Sequence, residues 1–349
     1  MKKWTRILGV TVFLLAMVGC GTNQKTTEEV TETKSTVQQE VVEQKSEEKT
    51  EQVARVVALK GPTAMGLVSF MNDVDTGNDK NYEFQIVGSV DEVAPKLLKG
   101  EVDFAAVPAN LASVLFEKSK GQIQVIGINT LGVLHIVENG NEIQSVKDLK
   151  GKTIVASGKG ATPEYALQYI LGKNGLDINK DVTVEWKSEH TECLGALAGG
   201  NNTIAMLPQP FVTVAQTKIP KLRVAVDMNK EWELLQEKEE IKSSLITGVV
   251  VGRTSFLEEQ KEIVNDFMNR YKGSVEDVNQ NIEKSAKLVG NYDIVPEAVA
   301  KKAIPYCNIT WIEGQEMKEQ LSGYLTILYN QNKKAVGGNI PNDKFYYSR

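Results

Sequence analysis

Along residues 54–330, short apolar runs alternate with stretches of helical period. Val56-Val57-Ala58-Leu59 and Thr153-Ile154-Val155-Ala156 are short and rich in β-branched residues, the pattern of a buried strand. Each opens into a Gly-containing loop, Lys60-Gly61-Pro62-Thr63 in one case and Lys159-Gly160-Ala161-Thr162 in the other. Helical patterns follow, Met65 to Met71 and Tyr165 to Leu171. A second echo is stronger. Leu97-Leu98-Lys99-Gly100 precedes Phe104-Ala105-Ala106-Val107-Pro108, and Leu197-Ala198-Gly199-Gly200 precedes Ile204-Ala205-Met206-Leu207-Pro208. Gly100 matches Gly200, Ala105 matches Ala205 and Pro108 matches Pro208, an offset of about one hundred residues that predicts an internal duplication. Each half reads strand, helix, strand, helix, strand, which implies parallel sheets with crossover helices. The expected fold class is α/β, with two Rossmann-like lobes and a hinge.

The N-terminus follows a different pattern. Lys2, Lys3 and Arg6 precede an apolar run from Ile7 to Val18 and then Gly19-Cys20. A charged start, a short apolar core and a small residue form a secretory signal. The run is too short to span a bilayer. Met17-Val18-Gly19-Cys20 resembles a bacterial lipoprotein cleavage box, which implies lipidation of Cys20 and a membrane anchor; a plain signal peptide with an incidental cysteine is the alternative. From residue 21 to about 52 the chain is Thr, Glu, Gln, Lys and Ser with isolated valines. Such a segment buries too little apolar surface to order itself, and its coil span would be about 30 Å.

Composition narrows the classes. The chain has 349 residues, 41% hydrophobic and 24% charged, with a formal net charge of −5. That is ordinary for a globular protein of about two domains. No basic stripe suggests nucleic acid. Of the three cysteines, Cys193 and Cys307 lie in different predicted lobes and read as small buried hydrophobes rather than a disulfide.

In open α/β sheets, ligands sit off the carboxyl ends of the strands. Four loops lie there: Lys60 with Pro62, Thr63, Ala64 and Met65; Pro108 with Ala109 and Asn110; Lys159 with Ala161, Thr162 and Pro163; and Pro208 with Gln209. Thr63 and Thr162 stand where strand becomes helix. There a threonine can cap, and free N–H groups favour an anionic head. Lys60 and Lys159 would add positive charge. Asn110 and Gln209 offer donors and acceptors for reading a polar ligand. The same residues could instead be ordinary caps and solvated lysines. Tyr165 and Phe211 flank the loops, so no stacking cage is expected. His135 reads as a structural histidine near the hinge. His190, in Glu189-His190-Thr191-Glu192-Cys193, is one of only two histidines, too few to supply a transition-metal site. No Gly-x-Ser-x-Gly elbow occurs.

Val146-Lys147-Asp148-Leu149-Lys150-Gly151-Lys152, Asp181-Val182-Thr183-Val184, Gly100 to Ala106 and Thr247-Gly248-Val249-Val250-Val251 together resemble the type II solute-binding proteins of ABC importers. The similarity is greatest to the branch containing nitrate, taurine, alkanesulfonate and thiamine-pyrimidine-precursor receptors. The loop phrases LKGPTAMG, VPANLASVL and LPQPFVTVA differ from the usual taurine and sulfonate loops, so ligand identity does not carry over. The resemblance implies two chain crossings, near Leu134–Glu138 and Leu245–Val251. Residues 1–19 would then be signal peptide, 20–53 lipidated tether, 54–136 and 247–330 lobe 1, 137–246 lobe 2, and 331–349 a surface-wrapping tail. The function it implies is that of a monomeric, lipid-anchored, extracytoplasmic receptor without cofactor or metal. It would capture a small solute between its lobes and pass it to ABC permease subunits. A pyrimidine-precursor-synthase-like enzyme and a sensing lipoprotein without transport are the alternatives.

Overall fold

A computed structural model describes residues 53–349, apart from 78, 201, 202 and 241. The signal sequence, Cys20 and nearly all of the expected tether lie outside the described residues.

The first stretch runs β1 (Ala54–Leu59), α1 (Pro62–Met65), α2 (Val68–Gly77), β2 (Tyr82–Val87), α3 (Val90–Leu98), β3 (Phe104–Pro108), α4 (Ala109–Ser119) and β4 (Ile123–Leu131). It continues through β5 (Leu134–Glu138), β6 (Thr153–Ser157), α5 (Thr162–Lys173), β7 (Thr183–Lys187), α6 (His190–Gly199), β8 (Ile204–Pro208), α7 (Phe211–Lys218), β9 (Arg223–Asp227) and α8 (Met228–Gln236). The last part is β10 (Ile246–Arg253), α9 (Thr254–Glu259), α10 (Lys261–Gln280), α11 (Ile282–Asn291), α12 (Glu297–Ala303), β11 (Ile309–Ile312) and α13 (Gly314–Gln331).

Two sheets result. The order in sheet A is β2-β1-β3-β10-β4-β11, and in sheet B it is β7-β6-β8-β5-β9. In each, the first three strands are parallel and the fourth is antiparallel. The duplication seen in the sequence is thus a repeated topology. It keeps its register too: Pro108 faces Gly248 on the antiparallel strand of sheet A, and Pro208 faces Leu134 on that of sheet B. The antiparallel strand is exchanged, since β5 follows β4 directly and β10 returns after α8. The first crossing is therefore the dipeptide Gly132-Val133. Residues 134–136, which the sequence reading gives to lobe 1, pair with β8 and β9 in sheet B.

The period-2 pattern of the strands decides what each face meets. Val57, Ala105, Val107, Val249 and Val251 leave one face of sheet A; Ile136, Ile154, Ala156, Ile204 and Met206 leave one face of sheet B. All belong to a single buried cluster. The opposite faces stay separate, with Val56, Ala58, Phe104 and Val250 in one cluster and Val137, Val155, Ala205 and Leu207 in another. Met317, Leu321, Tyr324, Leu325 and Leu328 of α13 lie in the shared cluster. Helix α13 therefore acts as a strut between the lobes rather than as a plain completion of lobe 1. A Cβ at its Gly323 would lie 2.2 Å from the Lys242 carbonyl in the second crossing, so helix and crossing meet backbone to backbone. The first crossing is as tight: a Cβ at Gly132 would lie 2.6 Å from Asn229 Oδ1 and 2.8 Å from Leu245 Cδ2.

Residues 331–349 do more than wrap the surface. Val336 and Phe345 are fully buried, Ser113 Oγ donates to Val336 O at 2.7 Å, and Tyr347 N donates to Val125 O at 2.9 Å. Cys193 and Cys307 are free and buried in different clusters.

Candidate functional site

The sequence places Thr63 and Thr162 as helix caps, and the structure does not. The N-cap of α1 is Gly61 and that of α5 is Ala161, neither with a side-chain cap bond. Thr63 Oγ1 donates backward to Leu59 O at 2.8 Å, while its carbonyl accepts from Asn129 Nδ2 (3.0 Å) and Tyr271 OH (3.3 Å). Thr63 is thus the hub of a buried network within lobe 1. Pro62 and Pro163 sit in the first turns of these helices and remove an N–H from each. Ala64 and Met65 are completely buried core residues beside Val56 and Phe70.

The lysines also diverge. Lys60 Nζ pairs with Asp293 at 3.0 Å across an exposed surface. Lys159 is exposed in the loop after β6.

Asn110 and Thr162 do meet. Tyr324 OH donates to Thr162 Oγ1 at 3.1 Å, and Thr162 Oγ1 reaches Asn110 Oδ1 at 3.5 Å. Asn110 Nδ2 in turn donates to Ala335 O at 3.4 Å. Helix α4 of lobe 1, α5 of lobe 2 and the strut α13 are therefore linked by one polar chain. Burial raises the pKa of the Tyr324 phenol, with the Thr162 bond opposing it, so Tyr324 acts as a donor. Ala109 is buried at the start of α4, and Pro108 ends β3 just before it.

Gln209 turns inward. Its Oε1 accepts from Thr213 Oγ1 (2.9 Å) and Thr213 N (3.4 Å), capping α7, and its backbone N donates to Val133 O at 2.9 Å. Pro208 and Gln209 thus sit against the first crossing. Nearby, on β10, Thr247 Oγ1 is buried with no hydrogen-bond partner, one residue from the Gly248 that faces Pro108. A buried orphan hydroxyl at a strand end is a polar group waiting for water or ligand. Its signal in the sequence was only the phrase Thr247-Gly248.

Sequence reasoning also missed a cavity of about 440 Å³ in lobe 2, off the carboxyl ends of β6 and β7. Ala161 and Pro163 line it, together with Ser157, His190 and Phe211. Ser157 Oγ and His190 Nδ1 are 2.5 Å apart, and the His190 and Phe211 ring centroids lie 4.8 Å apart at 47°. His135 is the structural histidine expected: it is buried and its Nδ1 lies 3.0 Å from Val133 O. Burial lowers the pKa of both imidazoles, against the charges of Asp227 and Glu189 respectively.

With strand ends from both sheets placed, similarity to known proteins becomes informative. Residues 69–290 match the family described as ABC transporter, phosphonate, periplasmic substrate-binding protein. The chain belongs to this family. It is thus a substrate-binding protein of an ABC transport system, of the two-lobed periplasmic-binding fold. The nitrate, taurine and sulfonate branch is not singled out by the match. No curated protein matches the chain. Among solved structures, an ABC transporter protein from Parabacteroides distasonis is similar at 23% identity, covering 85% of this chain and 99% of that one with a TM-score of 0.71. The aliphatic sulphonate-binding protein SsuA from Escherichia coli is similar at 14% identity, covering 83% and 92% with a TM-score of 0.65. The desulfurization enzyme DSZB shares the fold at 12% identity, covering 84% and 96% with a TM-score of 0.59. These likenesses establish the fold. No helix among the described residues is long and apolar enough to cross a membrane.

Proposed function

We propose that this family member is a lipid-anchored, extracytoplasmic receptor that binds a small solute between its lobes and delivers it to an ABC permease without chemical change. The observation that carries the reading is the polar chain Tyr324–Thr162–Asn110, which joins strand-end loops of both lobes where such folds bind ligands. The lobes share one core face and keep their other faces apart, an arrangement suited to hinge closure. Gly132, within the first crossing, and Gly323, packed against the second, would act as its fixed points. Cys20 would carry the anchor and the polar segment after it would hold the body off the membrane. Asn110, Thr162 and Thr247 are the side chains favoured for polar contact with the solute, and Lys159 supplies charge at the rim. Lys60, Ala64 and Met65 are set aside, being paired or buried. Thermal-shift screening of phosphonates, sulfonates, carboxylates, pyrimidines and amino acids tests the reading. At least one class should raise the melting temperature of wild type and do so less for Asn110→Ala. Equal stabilisation of both proteins would move the site elsewhere.

A further inference from the structure

The lobe 2 cavity has a definite chemistry. Three helices begin around it, and a side chain of the chain itself bonds the backbone at or just before each start. At α5, Glu164 Oε2 accepts from Gly160 N at 2.6 Å. At α6, Glu192 Oε2 accepts from Ser188 N at 3.1 Å. At α7, the amide of Gln209 caps Thr213. Carboxylates at the first two starts offset the positive helix ends that an anion would seek. Most of the cavity's exposed wall is carbon, led by Ala161, Pro163 and the ring of Phe211, with Ser157, Ser188, Glu189, His190 and Thr191 as its polar lining. Gly158, at φ +86°, is what lets the chain turn so closely there, since a Cβ on it would lie 2.7 Å from Pro163 Cγ. The volume of about 440 Å³ falls within the range of small-molecule pockets, about 300–1,000 Å³.

His190 adds one directional group. Ser157 is buried, and with its hydroxyl donating to Nδ1 the neutral ring carries its proton on Nε2. Burial favours that neutral form, although Glu189 at the helix start opposes it. Phe211 supplies an aromatic partner beside the same ring.

We propose that lobe 2 takes the uncharged, ring-sized apolar part of the solute, packed on Phe211 and Pro163, with His190 Nε2–H donating to an acceptor on it. This deepens the receptor reading and rests on it. The solute is then an organic molecule with a compact apolar or aromatic body rather than an inorganic oxyanion. Any anionic head must then lie outside this pocket, towards the Lys159 rim or lobe 1.

The chain has two histidines, so ¹⁵N-histidine labelling reports on His190 with His135 as an internal control. Benzamide and phenylphosphonate should shift the His190 ring resonances, while methylphosphonate and inorganic phosphate should not. Phe211→Ala should weaken the benzamide response at least tenfold, and His190→Gln should weaken binding measured by calorimetry while leaving the fold intact by circular dichroism. Phosphate shifting His190, or benzamide leaving it unmoved, would overturn the proposal. Scattering on the same samples separates the two readings: a His190 response without a change in radius keeps the subsite and removes closure.

Discussion

Replacing Thr162 by Val tests the link between the lobes most sharply. The change keeps the side-chain volume and deletes the hydroxyl that receives Tyr324 OH at 3.1 Å and reaches Asn110 Oδ1 at 3.5 Å. Tyr324 is completely buried in the shared cluster, so its phenol would lose its partner without gaining water. A buried donor left unsatisfied costs about 1–3 kcal/mol. For a folded body of about 300 residues, an unfolding entropy of about 2.1 cal/mol/K per residue gives about 0.6 kcal/mol/K, so the melting temperature should fall by about 2–5 °C. Tyr324→Phe removes the stranded donor, so the double variant Thr162→Val/Tyr324→Phe should be more stable than the sum of the singles by about 1 kcal/mol. Calorimetric melts of the four proteins measure this directly. Strict additivity, or an unchanged melting temperature for Thr162→Val, would refute the bond as a structural link.

Other outcomes follow from the same geometry. Asp103 is buried, accepts from Arg55 Nε at 3.0 Å and Arg253 Nη2 at 2.7 Å, and burial alone would raise its pKa; hydrogen bonds from both arginines outweigh that and hold it below the usual carboxylate range. Its contribution is therefore present above about pH 4 and lost as pH falls through the depressed native value; Asp103→Ala should cost about 3–5 kcal/mol at pH 7 in urea titrations and flatten the acid limb. A wild-type stability that does not decline below pH 4 faster than that of the variant would contradict this. Gly323→Ala should destabilise by about 1–3 kcal/mol, because the added methyl meets the Lys242 carbonyl; a neutral effect would show that the strut and the crossing can separate freely. Cys20→Ala should yield a protein that lacks lipid by mass spectrometry and leaves the membrane fraction, and membrane retention of that variant would count against the anchor.

Much of the fold was legible because period and repetition survive in the sequence. Ala105/Ala205 and Pro108/Pro208 keep their register in two sheets of one topology, each proline facing the antiparallel strand. The exact place of the strand exchange is not legible in the sequence, because Leu134-His135-Ile136-Val137 is as apolar as a strand of either sheet and only pairing assigns it. The site was less legible. Thr63 and Thr162 look alike in their loops, yet one bonds back to its own strand and the other reaches across to α13. Pro62 at the first position of α1 and Pro163 at the second of α5 shift which residue becomes the cap. Phe211 and His190 are far apart in the chain, and only the stacking of β6 beside β7 and β8 brings their helix starts around one cavity. The tail's role is hidden for a similar reason: Phe345 follows Asn342-Asp343-Lys344, and its burial against Phe116, with ring centroids 5.1 Å apart, is a tertiary fact.

The central claim is that solute binds between the lobes and closes them. Small-angle scattering of the protein, with and without a solute found by thermal shift, tests it most directly. Saturating solute should lower the radius of gyration, and Asn110→Ala should need more solute to reach the same end point. An unchanged radius at saturation, with binding confirmed by calorimetry on the same sample, would contradict it.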